Sequence, residues 1–130
     1  MTPFLFVYGT LRRACHTGAH QRYLQGAQFI GGARVRGQLF HIRYYPGLVL
    51  SEEAGWVTGE VYALTGEQHL QALDAYEECS NPPHPDDEYR RAQIDVQLDT
   101  GAIKTVWTYV YAQSTRHLIA INSGDFLSAN

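Results

Sequence analysis

Two features of this sequence have residue types and settings that could do chemistry: a glutamate at position 77 and a glycine-led turn at position 9. Leu70, Ala72, Leu73 and Glu77 fall at helical spacing, and Leu73 and Glu77, four apart, share one face near the helix C-terminus. A carboxylate on an inward face is partly desolvated. That raises its pKa toward the range where one group can take a proton and return it. From the pattern alone, an ordinary surface glutamate closing a helix is the default reading. Gly9-Thr10-Leu11 ends an apolar run, and its backbone N–H groups could converge on a carboxylate or a developing oxyanion. The alternative is a tight turn in which Gly9 only relieves strain. Trp107, Tyr109 and Tyr111 alternate and share a face, so Tyr109 either donates a hydrogen bond to a ligand or simply packs. Arg12 either attracts an anion or is a solvated side chain.

Other constellations carry less. His16 and His20 are four apart, but Gly18 lies between them and no glutamate follows His16, so the zinc-protease pattern is missing. Cys79 and His84 flank a proline-rich stretch without a third partner. Neither Gly31-Gly32 nor the turn at Gly9 matches a dinucleotide or phosphate-loop pattern. No metal and no cofactor is expected.

The elements that must position these residues follow from the punctuation of the chain. Phe4–Tyr8 is an apolar run that predicts a buried strand. Residues 16–25 predict a short helix. Phe29–Phe40 alternates like strand, with breaks at Gly31-Gly32 and Gly37. Tyr44-Tyr45-Pro46-Gly47 predicts a turn before a short strand, Leu48–Leu50. Val57–Leu64 is a further strand with Val57, Gly59, Val61 and Ala63 on one face. Thr65 and Gln68 have capping-box spacing at the start of the helix that ends near Glu77. Three prolines make residues 79–87 a loop. Tyr89–Leu98 and Ile103–Tyr111, joined at Asp99-Thr100-Gly101, are the clearest hairpin. The tail from Arg116 reads as short helix or coil. Many strands with few short helices predict an α+β chain whose sheet curves into a small, mainly antiparallel barrel.

Composition sets outer limits. The 130 residues suit a single domain, 1–130, with one core and room for one cavity. Hydrophobic residues are 45% and charged residues 18%, an ordinary globular balance. A formal charge of -3, with basic residues paired only at Arg12-Arg13 and Arg90-Arg91, argues against a nucleic-acid partner. No secretory leader is read at the N-terminus and no stretch is long enough to span a membrane, so a cytoplasmic location is expected, with Cys15 and Cys79 reduced. Oligomeric state is not legible.

In order along the chain, Tyr8-Gly9-Thr10-Leu11-Arg12, Tyr45-Pro46-Gly47-Leu48, Gly59-Glu60-Val61-Tyr62 and Leu73-Asp74-Ala75-Tyr76-Glu77 resemble the motifs of the gamma-glutamylcyclotransferase-like family. Tyr89-Arg90-Arg91, Tyr109 and Ser123-Gly124-Asp125 also fit. The resemblance implies a small mixed barrel flanked by short helices. It implies a cofactor-independent enzyme that releases 5-oxoproline from a small gamma-glutamyl compound. It gives Glu77 the acid/base role and assigns substrate binding to Tyr8, Gly9, Thr10, Leu11, Arg12 and Tyr109. Two departures bear on the site: Ala14-Cys15 and Glu78 stand where the family often has glycine. Amide transfer or hydrolysis without cyclisation, and ligand binding without turnover, are the competing readings.

Overall fold

The computed structural model describes residues 2–13, 15, 18–43, 45–77 and 84–128. Ala14, His16, Tyr44, Glu78, Cys79 and the first part of the proline-rich stretch lie outside them. Seven strands run β1 (Phe4–Val7), β2 (Gln28–His41), β3 (Pro46–Leu50), β4 (Trp56–Ala63), β5 (Tyr89–Leu98), β6 (Ile103–Tyr111) and β7 (Ile119–Ile121). Helix α1 (Ala19–Tyr23) precedes β2, helix α2 (Glu67–Tyr76) joins β4 to β5, and a single 3-10 turn covers Phe126–Ser128. Among the described residues, no helix is long and apolar enough to cross a membrane.

Five strands close on themselves in the order β2-β4-β1-β6-β5, with β5 returning to β2 through Ala33↔Leu98 and Arg34↔Gln97. Every pairing is antiparallel except β1 with β6. The expected α+β architecture with a small mixed barrel and short flanking helices is the one observed. The β5–β6 hairpin runs in unbroken register from Tyr89↔Tyr111 to Gln97↔Ile103. Its turn places Gly101 at φ 94, a conformation open to glycine and costly for other residues.

Strand β2 is longer than its glycines suggested. It runs through Gly31, Gly32 and Gly37, with a register shift between Phe29 and Gly31 that bends it. Its first part pairs with β4, and its last residues pair with β3 and β7. Pro46 and Gly47, read as a turn, open β3 instead. Pro46 pairs at the end of the register, where a missing N–H is tolerated. The tail that read as helix or coil contributes β7, because pairing with an existing strand satisfies a three-residue backbone better than coil does. Thr65 is not the cap of α2. Gly66 holds that position, and the Thr65 amide and hydroxyl meet Nδ1 of His69 at 3.3 and 3.2 Å.

Strand β1 is buried on both faces, which explains its continuous apolar sequence. Phe6 and Tyr8 belong to the barrel interior with Leu39, Leu48, Val57 and Val61. Leu5 and Val7 face outward and pack beneath Leu70 and Leu73 of α2. Both leucines are fully buried, so each contributes about 1.5–3 kcal/mol to docking the helix. Gly59 on β4 lies where the Phe6 ring and the Val7 carbonyl approach. A Cβ there would stand 2.6 and 2.3 Å from them.

A candidate active site at the end of helix α2

The chain leaves β1 through Tyr8-Gly9-Thr10-Leu11, and this loop is held from behind. Arg12 N–H donates to the Gly9 carbonyl at 3.0 Å, closing the turn. The Arg12 guanidinium donates through Nη1 to Asp125 at 2.6 Å and through Nε to Glu60 at 3.3 Å. Glu60, itself buried, also accepts from the Arg13 amide at 3.2 Å and the Tyr62 hydroxyl at 2.8 Å. Burial, with Glu60 beside it, pushes the Tyr62 hydroxyl pKa up. Among the described residues, the amides of Gly9, Thr10 and Leu11 donate no backbone hydrogen bond outside the strand ladders. Gly9 packs on the Pro46 ring so closely that a Cβ would stand 2.7 Å from it. A side chain at position 9 would therefore displace either the loop or β3.

Facing this loop is the end of α2. Leu73 anchors the last turn, and the Glu77 amide donates to the Leu73 carbonyl at 2.9 Å, which makes Glu77 the C-cap residue. Loop and helix end are joined by a hydrogen bond between the Thr10 and Tyr76 hydroxyls at 3.2 Å. Between them lies a cavity of about 190 Å³. Tyr8, Gly9, Thr10, Leu11, Tyr76, Glu77 and Tyr109 form its inner walls. Phe6, Val7, Arg43, Tyr45, Pro46, Glu88 and Tyr89 form the rest. Burial pushes the Glu77 carboxyl up to about 8, and the charge of Glu88 adds to the effect. The exposed carbonyls at a helix C-terminus act in the same sense, since they disfavour an anion there.

Four of the tyrosines around the cavity, Tyr8, Tyr45, Tyr89 and Tyr109, donate to protein acceptors. Each hydroxyl has one proton. Tyr8 donates to the Tyr109 carbonyl and accepts from the Leu48 amide at 3.3 Å. Tyr89 donates to the Pro46 carbonyl, Tyr45 to Glu88 at 2.7 Å, and Tyr109 to Asp74 at 2.7 Å. Burial pushes the Tyr89 and Tyr111 hydroxyls up, so both stay protonated. Proton transfer within the cavity is left to its two carboxyl groups, Glu77 and Glu88.

Of the residues singled out in the sequence, Tyr8, Gly9, Thr10, Leu11, Glu77 and Tyr109 line one cavity. Arg12 does not, because Glu60 and Asp125 occupy its guanidinium. Tyr109 contributes its ring, while its hydroxyl donates to Asp74. His20 hydrogen-bonds the Leu11 carbonyl at 3.0 Å, and His84 sits beside Asp86, away from the cavity. Cys15 is buried. Sequence reasoning gave no role to Glu88, Arg43, Tyr45 and Tyr89. Tyr45 and Tyr89 stood inside recognised motifs, but Glu88 merely precedes a strand and no spacing distinguished it. Among the described residues, no group of three or more His, Cys, Asp or Glu is arranged to hold a metal ion.

Comparison with known proteins agrees with this architecture. Residues 5–128 match the family model described as gamma-glutamyl cyclotransferase, AIG2-like. A putative gamma-glutamylcyclotransferase of Vibrio cholerae is 35% identical over 128 residues, 97% of this chain and 96% of that protein. The gamma-L-glutamyl-butirosin B gamma-glutamyl cyclotransferase of Niallia circulans is 33% identical over 111 residues, 84% of this chain and 67% of its own. The solution structure of protein YtfP from Escherichia coli superposes with a TM-score of 0.67 at 33% identity, covering 96% of both chains. With the barrel, the loop after β1 and the carboxylate at the end of α2 all in place, the chain belongs to the gamma-glutamyl cyclotransferase, AIG2-like family.

Proposed function

We propose that this protein converts a gamma-glutamyl amine or gamma-glutamyl amino acid to 5-oxoproline and the free amine, with Glu77 as the proton shuttle. The observation that carries the reading is a single one. A half-buried carboxylate and a turn whose amides, among the described residues, donate no backbone hydrogen bond outside the strand ladders border the same small cavity. The substrate's α-carboxylate is then held by the amides of Gly9, Thr10 and Leu11, which suit an anion without a neutralising side chain. Its α-ammonium lies at Glu77.

The chemistry needs no external nucleophile. Glu77 in its ionised form takes a proton from the α-ammonium. A carboxyl group raised to about 8 is close in basicity to an amine, so the transfer costs little. The neutral amine attacks the γ-carbonyl carbon, forming the ring C–N bond and a tetrahedral oxyanion. Glu77 returns the proton to the departing nitrogen as the original amide C–N bond breaks, and the second proton of the ring nitrogen, made acidic by bond formation, follows through Glu77 to the released amine, so the products are neutral lactam and an ammonium group. No atom is gained or lost, and Glu77 ends ionised as it began. Because attack is intramolecular, holding the glutamyl chain folded supplies a large part of the acceleration.

The test is 5-oxoproline release from a panel of gamma-glutamyl amines and amino acids. The Niallia circulans relative is named for a gamma-glutamyl amide of butirosin B, so the panel includes bulky leaving groups. Glu77→Gln should lose at least about 100-fold in kcat. Undiminished activity in that variant removes Glu77 from the mechanism. Mass analysis showing open-chain glutamate or a transferred glutamyl group replaces cyclisation with hydrolysis or transfer.

A further inference from the structure

Asp74 is in a place where its charge is unfavourable. It lies in the last turn of α2, at the negative end of the helix dipole, and that turn holds no basic residue. Its compensation comes from two strands that are distant in sequence. The Tyr109 hydroxyl on β6 donates to Asp74 Oδ1 at 2.7 Å, and Arg91 Nε on β5 lies 3.6 Å from the same oxygen. Arg91 and Tyr109 are register partners across the hairpin, so the two donors form a fork of fixed spacing. The guanidinium lies over the Trp107 ring, 4.6 Å from its centroid, and its buried Nη1 has no hydrogen-bond partner among the described residues. Arg91 therefore depends on Asp74 and on the face of Trp107 to offset its burial.

Asp74 is three residues from Glu77, within the same helical turn. Helix ends fray, and Glu77 stands at the fraying end of a helix of only ten residues. Leu73 holds that end down by burial, but an apolar contact does not set rotation about the helix axis. Directional hydrogen bonds do, and this turn has one to the loop, between Tyr76 and Thr10, and one to the hairpin, from Tyr109 to Asp74.

We propose that Asp74, gripped by Tyr109 and Arg91, is a positioning residue that sets the rotation of the last turn of α2 and so aims the Glu77 carboxyl into the cavity. Tyr109 thereby serves the site from outside the reaction. Its hydroxyl orients the helix that carries the shuttle, and its carbonyl, which accepts from Tyr8, ties that helix to the loop. The kinetic part of this inference rests on the cyclotransferase reading, but the positional part does not.

The experiment compares Tyr109→Phe, Asp74→Ala, Asp74→Asn and the double variant Tyr109→Phe/Asp74→Ala by two readouts. The first is 5-oxoproline formation. The second is the titration of the Glu77 carboxyl, followed by carbon NMR and assigned by its loss in Glu77→Gln. Tyr109→Phe keeps the ring in the cavity and should lower kcat about 10-fold or more, with KM changed less than about twofold. Its Glu77 should titrate well below about 8, toward 4.5, because a misaimed carboxyl regains water. Asp74→Ala should match it, and the double variant should be no worse than the poorer single variant. Asp74→Asn keeps an acceptor for Tyr109 and should stay within about threefold of the parent. Glu88 and Arg43, the charged groups that share the cavity with Glu77, are unchanged throughout. The proposal is overturned if Tyr109→Phe loses activity while Asp74→Ala keeps it, since the hydroxyl then acts on substrate. It is equally overturned if the variants lose only thermal stability while the Glu77 titration stays put. Should the parent protein release no 5-oxoproline from any compound, the cyclotransferase reading fails and the titration alone still decides the clamp.

Discussion

Replacing Glu77 with glutamine should make the protein more stable, and only at neutral to alkaline pH. In the folded state the carboxyl is held up to about 8, against an ordinary value of 4.5 in the unfolded chain. Below the unfolded value both states are protonated, and glutamate and glutamine behave alike. As pH rises past 4.5, the unfolded chain releases its proton while the folded protein keeps it, so unfolding gains and stability falls. The fall ends once pH passes the folded value and both states are ionised. At about 1.4 kcal/mol for each tenfold change, the interval from 4.5 to about 8 bounds the loss at about 5 kcal/mol. Glu77 is only partly shielded and water reaches it, so about 2 kcal/mol is the expected size. Urea unfolding of the two proteins at about pH 4 and about pH 9 measures it directly. The curves should coincide at the lower pH. At the higher pH Glu77→Gln should gain about 2 kcal/mol, or about 8 °C in Tm. Carboxylates away from the cavity titrate equally in both proteins and cancel, and Glu88, coupled to Glu77, is the one whose titration the substitution also changes. A gap that does not change with pH, or a parent protein more stable at alkaline pH, would refute the placement of Glu77 in a desolvated wall. The gain in stability and the loss of activity share one cause, since the property that suits Glu77 to proton transfer is the property that costs the fold.

Other consequences follow from the same geometry. Glu88→Gln removes the second cause of the raised Glu77 value, so the acidic limb of kcat/KM against pH should move below about 8 yet stay above 4.5, because burial is the larger cause. A limb that stays still or moves up would remove Glu88 from this role. Gly59→Ala places a methyl group against the Val7 carbonyl and the Phe6 ring inside the barrel and should cost about 3 kcal/mol in urea unfolding. A neutral result would mean the barrel relaxes there freely. Arg12→Ala leaves Glu60 buried without its cation and should destabilise by about 3 kcal/mol. If Arg12 instead bound substrate from the cavity, Arg12→Ala would raise KM with stability unchanged.

The sequence was most informative where structure depends on near neighbours. The hairpin at Asp99-Thr100-Gly101 was legible because a turn glycine between two alternating runs is a local signal. Leu73 and Glu77 could be placed on one helix face because 3.6-residue periodicity is a property of the chain itself. The apolar run of β1 and the glycine after it were read from composition alone. The resemblance to the family's motifs added order and spacing, and so grouped Tyr8, the Gly9–Leu11 loop, Arg12, Tyr109 and Glu77 in one site.

Tertiary structure decided what depends on closure. Strand β7 is too short and too exposed to show a period, and it exists because β2 offers it an edge. Glu88 becomes a cavity residue only because β5 starts beside the end of α2, with Tyr45, just before β3, to hold its carboxylate. Arg12 turned away from the cavity because Glu60 and Asp125, 48 and 113 residues further along, reach it from behind. Tyr109 reads from the sequence as a possible donor to ligand, yet its hydroxyl donates to Asp74 across 35 residues. In each case the outcome was a competition among partners far apart in the chain. Periodicity tells a side chain which face it occupies, but only the closed barrel determines which partner it meets there.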